Sequence, residues 1–238
     1  MAHSDEQNAA LKEIVKERTW KAKKSRKLKQ YIMGTIFLVL LSFGWFYPPV
    51  GYFIPLCMIA GIGMARWKGR KWCNWMCPRG SFSDSYMKLM SRGRKIPGFF
   101  RTSPLRIGVI VFLMSMLTYQ IVRLWPDPYT IGRLFMTLLT ITTALSILLA
   151  IIIHQRSWCY ICPIGTISNW VGQNRESLFG KNDLCNSCKL CSKACPMLLE
   201  PCELKEKGKM SFRGDCLKCG LCVATCPKDA LTFDTNPN

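Results

Sequence analysis

The chain has 238 residues, with 33 Lys plus Arg against 14 Asp plus Glu, 14 cysteines and two histidines. A mean hydropathy of +0.11 beside a net charge of +19 means that apolar and charged residues occupy different segments. That division speaks against an ordinary soluble enzyme and against a nucleic-acid binder, and fits a membrane protein with basic loops.

Residues 1–30 carry nine Lys and Arg and predict a basic helix lying on the inner leaflet, drawn there by anionic lipid. Two apolar runs follow, 31–47 ending at Pro48-Pro49, and 50–65. At about 1.5 Å per residue each is near the lower limit for crossing a ~30 Å hydrocarbon core, so short spans and a re-entrant pair are both open. Phe46-Tyr47-Pro48-Pro49 offers no small-residue site for cleavage of a signal peptide. The later runs, 104–125 and 131–153, are long enough to span. The turn Trp125-Pro126-Asp127-Pro128-Tyr129 between them brings aromatics to the interface.

Basic residues fix the expected orientation. Residues 1–30 and 66–106 together hold twenty Lys and Arg, whereas the turns at 48–52 and 123–133 hold two, Arg123 and Arg133. Lys and Arg stay on the cytoplasmic side, so both termini are expected inside, in the inner membrane.

Each apolar pair leads into a cysteine loop, and the two loops echo one another. Lys71-Trp-Cys73-Asn-Trp-Met-Cys77-Pro-Arg-Gly80-Ser-Phe-Ser83 matches Ser157-Trp-Cys159-Tyr-Ile-Cys162-Pro-Ile-Gly165-Thr-Ile-Ser168, an internal repeat of a hairpin plus a loop. Side by side, the halves would bring Cys73, Cys77, Cys159 and Cys162 to one patch, as a third iron–sulfur or other metal centre requires. The alternative is four reduced thiols that stabilise the loops or act in redox chemistry. Proline after Cys77 and Cys162 predicts loops at the cysteines.

The tail holds Cys185-x2-Cys188-x2-Cys191-x3-Cys195-Pro and Cys216-x2-Cys219-x2-Cys222-x3-Cys226-Pro, two copies of the bacterial ferredoxin run. In such pairs the fourth cysteine serves the neighbouring cluster. Cys185, Cys188, Cys191 and Cys226 are therefore expected at one 4Fe–4S cluster, and Cys216, Cys219, Cys222 and Cys195 at the other. Isolated C-x2-C pairs would leave zinc open, but two full runs do not. Gly220 is expected to admit close backbone approach, residues between Cys195 and Cys216 read as a loop, Cys202 reads as a spare or weakly buried thiol, and Cys57 in the second apolar run reads as a small hydrophobe.

Over 183–233 the tail resembles the two-cluster ferredoxin domain, which implies a small α+β unit with two 4Fe–4S clusters. Over 31–233, the Cys-Pro-x-Gly loops after transmembrane hairpins and the terminal double ferredoxin resemble the NapH-type membrane ferredoxins and the related NosR- and FixG-group polyferredoxins. That resemblance implies electron transfer in the cytoplasmic membrane, between the quinone pool and the other subunits of a redox complex. One departure is that the second loop is Cys159-x2-Cys162-Pro where the family commonly writes C-x3-C-P.

The expected architecture is an α-helical membrane protein with four transmembrane helices, or two plus a re-entrant pair, followed by an α+β two-cluster ferredoxin-like domain. Its parts are a basic cytoplasmic segment at 1–30, a membrane domain at 31–180 and the ferredoxin domain at 181–238. The expected role is a non-catalytic electron-transfer subunit of a quinol dehydrogenase-type complex, touching membrane lipid, quinone and partner subunits. The alternative is an accessory protein that supplies electrons for maturing or reactivating a metalloenzyme. With only His3 and His154 available, a bis-histidine haem within the helices is excluded. No G-x-G-x-x-G dinucleotide fingerprint follows a strand. His154 reads as a hydrogen-bonded interfacial residue and Asp84 as a helix N-cap, with proton transfer as the lesser role of each.

Overall fold

The computed structural model describes residues 2–172, 175–180, 184–202 and 215–234, with the side chains of 2–11 and of Asp234 outside that description. The side chain of His3 and the stretch 203–214 of the expected loop therefore lie outside the described residues.

Helix α1 runs unbroken from Ala2 to Phe46, about 65 Å at 1.5 Å per residue and roughly twice a bilayer core. The basic segment is thus not a separate helix on the leaflet. Residues 2–33 contain no Gly or Pro and are rich in Ala, Leu, Lys, Glu and Gln, so nothing interrupts helix propagation into the apolar run. A 3-10 turn over Pro48–Tyr52 reverses the chain into α2 (Phe53–Lys68).

Helices α4 (Ser103–Leu124) and α5 (Pro128–Ile152) form the second hairpin. Asp127 caps α5 by accepting from the Tyr129 N–H at 3.1 Å and the Thr130 hydroxyl at 2.5 Å, and Pro128 begins the helix. Among the described residues, four helical segments are long and apolar enough to cross a membrane, the first pair included. Their apolar windows are only 6–28% buried within the protein, so most of that surface faces outward, as lipid requires. The hairpins meet through small residues: a Cβ on Gly132 would stand 2.6 Å from the Pro48 carbonyl oxygen, and one on Gly51 would strike the Gly132 carbonyl.

After each hairpin the chain repeats one structural phrase. A helical turn over Trp72–Met76 leads to extended Cys77 (φ −71°, ψ 113°) and then α3 (Pro78–Phe82). Helix α6 (Trp158–Ile161) leads to extended Cys162 (φ −62°, ψ 127°) and then α7 (Pro163–Val171). Proline thus excludes helix from the residue before it, as expected at Cys77 and Cys162. Cys73 and Cys159 depart from the loop expectation: each lies inside a helical turn, four or three residues upstream of the Cys-Pro pair, where the restriction no longer acts.

The extra residue of the first loop is absorbed locally. Cys77 N–H donates to the Trp72 carbonyl five residues back at 2.9 Å, a π turn, whereas Cys162 N–H donates to the Trp158 carbonyl four residues back at 3.0 Å. Both rings run from Trp to Cys-Pro, so four and three intervening residues reach the same end point.

The C-terminal unit consists of α8 (Leu190–Ala194), α9 (Leu221–Thr225) and an antiparallel ribbon of β1 (Ser177–Gly180) with β2 (Leu231–Asp234), in register Leu178 with Phe233 and Gly180 with Leu231. Its first strand lies upstream of position 181. The unit is seated on the end of the bundle that carries the cysteine loops. If the hairpins are held by the Gly51–Gly132 approach, Gly132→Ala should cost about 1–3 kcal/mol by overpacking, seen as a lower Tm in detergent, while Gly63→Ala, which meets no neighbour within 4 Å, should not.

Candidate metal centres

The two terminal cysteine runs share one backbone. Left-handed φ recurs at matched places, at Ser187 and Lys218 (56° and 52°), Lys189 and Gly220 (59° and 76°), and Leu198 and Asp229 (51° and 47°). Gly220 takes that conformation freely, whereas the others hold it at a cost of order 1 kcal/mol or more each. Turns of this kind point backbone N–H groups inward: Lys218 N–H donates to Cys216 Sγ at 3.3 Å and Ala230 N–H to Cys226 Sγ at 3.4 Å.

Cys195, Cys216, Cys219 and Cys222 line one cavity, and Cys185, Cys188, Cys191 and Cys226 line another. The two cavities are alike in size. Among the described residues no three Cys, His, Asp or Glu side chains gather tightly enough for a single ion; the thiols stand around cavities. Cys202 also lines the second cavity, 3.4 Å from the Ser192 hydroxyl, so this spare thiol sits beside a cysteine set.

Cys73, Cys77, Cys159 and Cys162 border a third, larger cavity that opens between the helices and is walled mainly by apolar side chains, among them Phe37, Leu113 and Leu139. Cys57 lies on the same wall. Above it, Cys73 and Cys159 pack in one apolar cluster with Tyr160, Met197, Leu217, Cys195, Cys216 and Cys219. The loop thiols and the nearer terminal set are therefore in direct succession.

Arginines surround the loop patch. Arg156, fully buried, donates to the Cys73 carbonyl at 3.0 Å and reaches Cys159 Sγ at 3.6 Å. Arg70, 3% exposed, donates to the Cys159 carbonyl at 2.5 Å and faces Asp215 at 3.4 Å. Arg106 binds the same Asp215 at 2.8 Å, and Arg79 lies 3.5 Å from Cys162 Sγ. Neither Arg70 nor Arg156 falls within the echo of Lys71–Ser83 with Ser157–Ser168, which begins one residue after each of them. Starting it at Arg-x-Trp-Cys would have found both.

Asp84 does not cap a helix. It is buried and accepts from Arg156 (2.7 and 2.6 Å), Arg26 (2.5 Å) and Gln30 (2.7 Å). Burial alone would raise its pKa, but Arg156 and then Arg26 outweigh that and bring it down to about 2. It is an anchor for cations and does not carry protons near neutrality. His154 is buried, accepts the Arg156 N–H at Nδ1 (3.2 Å), and is held below its ordinary pKa by desolvation. Neutral imidazole in that bond suits the structural role.

These surroundings fit an anionic polynuclear centre. Arg70 Nε and Trp158 Nε1 are buried beside the patch without a hydrogen-bond acceptor among the described residues, and sulfur ligands would supply one. Burial pushes the Cys77 and Cys216 thiols up to about 12 and Cys191 to about 11. Thiols so desolvated ionise only against a cation, and the iron core of a cluster is one.

Comparison with known proteins agrees. Three families, each described as a 4Fe-4S binding domain, match this chain: one at 50–97 and again at 135–182, over the two Cys-Pro loops, and the others at 182–198 and 212–232. The chain is thus an α-helical membrane protein with 4Fe–4S binding domains. An uncharacterized protein of Methanocaldococcus jannaschii is 27% identical over 177 residues, 69% of this chain and 72% of that one. The ferredoxin-type protein NapH of Haemophilus influenzae is 26% identical over 180 residues (68% and 61%), and YccM of Escherichia coli K12, named for electron transport, is 27% identical over 202 (75% and 55%). No solved structure matches. The chain is thus similar to NapH-like polyferredoxins, with 4Fe-4S binding domains matched over both Cys-Pro loops and both terminal cysteine runs.

Replacing Asp84 tests its role. Asp84→Asn leaves Arg156 buried without a counter-charge and should cost about 3–5 kcal/mol, against about 1 kcal/mol for a lost N-cap, measured as a fall in denaturation midpoint. Because the folded pKa is depressed below the ordinary 3.8, the stabilisation by Asp84 is complete above about pH 4 and is lost only as pH falls towards about 2.

Proposed function

We propose that the protein is a membrane-bound electron-transfer subunit that links the quinone pool to a redox partner at the cytoplasmic face. The observation that carries this reading is the apolar cluster joining Cys73 and Cys159 to Cys195, Cys216 and Cys219. It makes a continuous succession from the membrane cavity outward, and the printed names of NapH and YccM support electron transport as its purpose.

In this reading Cys73, Cys77, Cys159 and Cys162 hold a third 4Fe–4S cluster at the membrane. Cys195, Cys216, Cys219 and Cys222 hold the inner terminal cluster, and Cys185, Cys188, Cys191 and Cys226 the outer one, whose Cys188 is exposed. Such clusters, when bound, supply one-electron storage. The apolar cavity suits a quinol: Phe37, Phe53 and Leu113 exclude water, and Arg79, bonded to Thr142 at 3.0 Å, offers a donor at the polar end. Oxidation there releases two electrons and two protons. Asp84, with its pKa near 2, accepts neither proton.

Orientation follows from the twenty basic residues of 1–30 and 66–106, which flank the end of the bundle bearing all twelve ligand candidates. The double ferredoxin domain at 181–238 and the basic segment at 1–30 then share the cytoplasm, with the membrane domain at 31–180 in contact with lipid. The partners are the other subunits of a redox complex.

Anaerobic purification with iron and sulfide counting and EPR should find three 4Fe–4S clusters. Cys73→Ser with Cys159→Ser should remove one and leave the other two signals unchanged. Two clusters in the unmodified protein would reduce the loop cysteines to thiols. A quinol analogue should then reduce the clusters of the purified chain; an unaltered spectrum would assign quinol oxidation to a partner.

A further inference from the structure

The two cysteine loops share a further matched pair. Arg70 stands three residues before Cys73, and Arg156 three residues before Cys159. Each arginine crosses to the other half. Arg70 donates to the Cys159 carbonyl and lies over Gly165, where a Cβ would meet its Nη2 at 2.7 Å. Arg156 donates to the Cys73 carbonyl and lies over Gly80, at 3.2 Å by the same measure. The Gly of each Cys-Pro-x-Gly is therefore the seat of the opposite repeat's arginine. Each arginine also meets one aspartate, Arg70 with Asp215 and Arg156 with Asp84.

We propose that Arg70 and Arg156 are reciprocal positioning residues that lock the two loops into one four-thiol frame and raise the reduction potential of the centre held there. The inference deepens the reading above and rests on the four loop cysteines holding an iron–sulfur cluster.

The charge count supports the second half. Among the described residues, Arg26, Arg70, Arg106 and Arg156 form ion pairs around the patch with two acids, Asp84 and Asp215, and Arg79 stands by Cys162 without a carboxylate. Positive charge exceeds negative there by three. An oxidised 4Fe–4S core with four thiolates is a dianion, which offsets most of that excess, and adding an electron is easier where the surrounding field is positive and N–H groups point at sulfur. Arg156 and Arg79 make such contacts at 3.6 and 3.5 Å. The crossing explains the first half, because an arginine bonded within its own loop would hold each pair of thiols but not one pair against the other.

The test is an EPR-monitored redox titration of the full-length protein in detergent, for Arg156→Gln, Arg70→Gln and Arg156→Lys. Each Gln variant should move the midpoint of the loop centre to lower potential, with the two terminal clusters unmoved, and the Lys variant should stay close to the unmodified protein. An unshifted midpoint in both Gln variants overturns the electrostatic claim, as does a Lys variant shifted as far as Gln. If Arg156→Gln loses only the loop centre's iron, positioning is upheld and the Lys variant reads the potential. Absence of a loop centre from the unmodified protein is a separate result, which sinks the reading beneath the proposal.

Discussion

Buried positive charge is the constraint on which this structure turns. Arg70, Arg106 and Arg156 are buried where the cysteine loops meet the C-terminal unit, Arg26 is largely so, and a buried guanidinium is tolerated only against anions. Asp84 and Asp215 supply two. Asp84 ties α1 and both cysteine loops together through Arg26, Gln30 and Arg156. Asp215, one residue before Cys216, ties the first loop region and the start of α4 to the terminal unit through Arg70 and Arg106. The remaining positive charge favours the anionic sulfur-rich centre proposed for the four loop cysteines.

The same Cys-Pro unit is used at four positions. Cys77, Cys162, Cys195 and Cys226 have ψ of 113°, 127°, 119° and 117°, all extended, because proline bars the helical region to the residue before it. At Cys77 and Cys162 the proline then starts a helix, so the thiol is presented at a helix N-terminus. At Cys195 and Cys226 it follows a one-turn helix and leads into a turn with left-handed φ. One local steric rule thus serves a membrane loop and a soluble cluster fold, and the π turn at Trp72–Met76 shows how a spacing change is absorbed upstream of it.

What was legible in the sequence was local. The hairpins were readable because an apolar run long enough to span has few other fates, and the terminal cysteine sets because their spacing is fixed within one loop. The hidden features were relations between distant segments. Arg70 and Arg156 look like topological charges, since nothing nearby says that each will cross to the other repeat. Asp84 sits ahead of Ser-Tyr-Met-Lys and has the chemistry of a cap, but three donors from α1 and the second loop outbid the local N–H groups. The separation of residues 1–30 from the first span was inferred from a change in composition, and helix propagation does not respect composition when no breaker intervenes.

Helix α1 also touches the outer end of the succession. Arg18 pairs with Asp229 at 2.9 Å and the Thr19 hydroxyl donates to the Ala224 carbonyl at 3.2 Å, next to Cys226, while Arg26 two turns later binds Asp84. The Arg18 pair is half exposed and contributes at most about 1 kcal/mol, so it guides the helix more than it secures it. The firm attachment lies deeper. The Tyr160 hydroxyl donates to the Met197 carbonyl at 2.5 Å, and Lys218 Nζ donates to the Gly172 carbonyl at 3.1 Å, both buried. These bonds involve Tyr160, adjacent to Cys159, Met197, two residues after Cys195, and Lys218, two residues after Cys216, so the seam between membrane and terminal unit is tightest where the sulfur sets adjoin. A protein built to carry charge between fixed sites needs order at that seam and tolerates looseness at its outer edge, and the distribution of buried contacts follows that requirement.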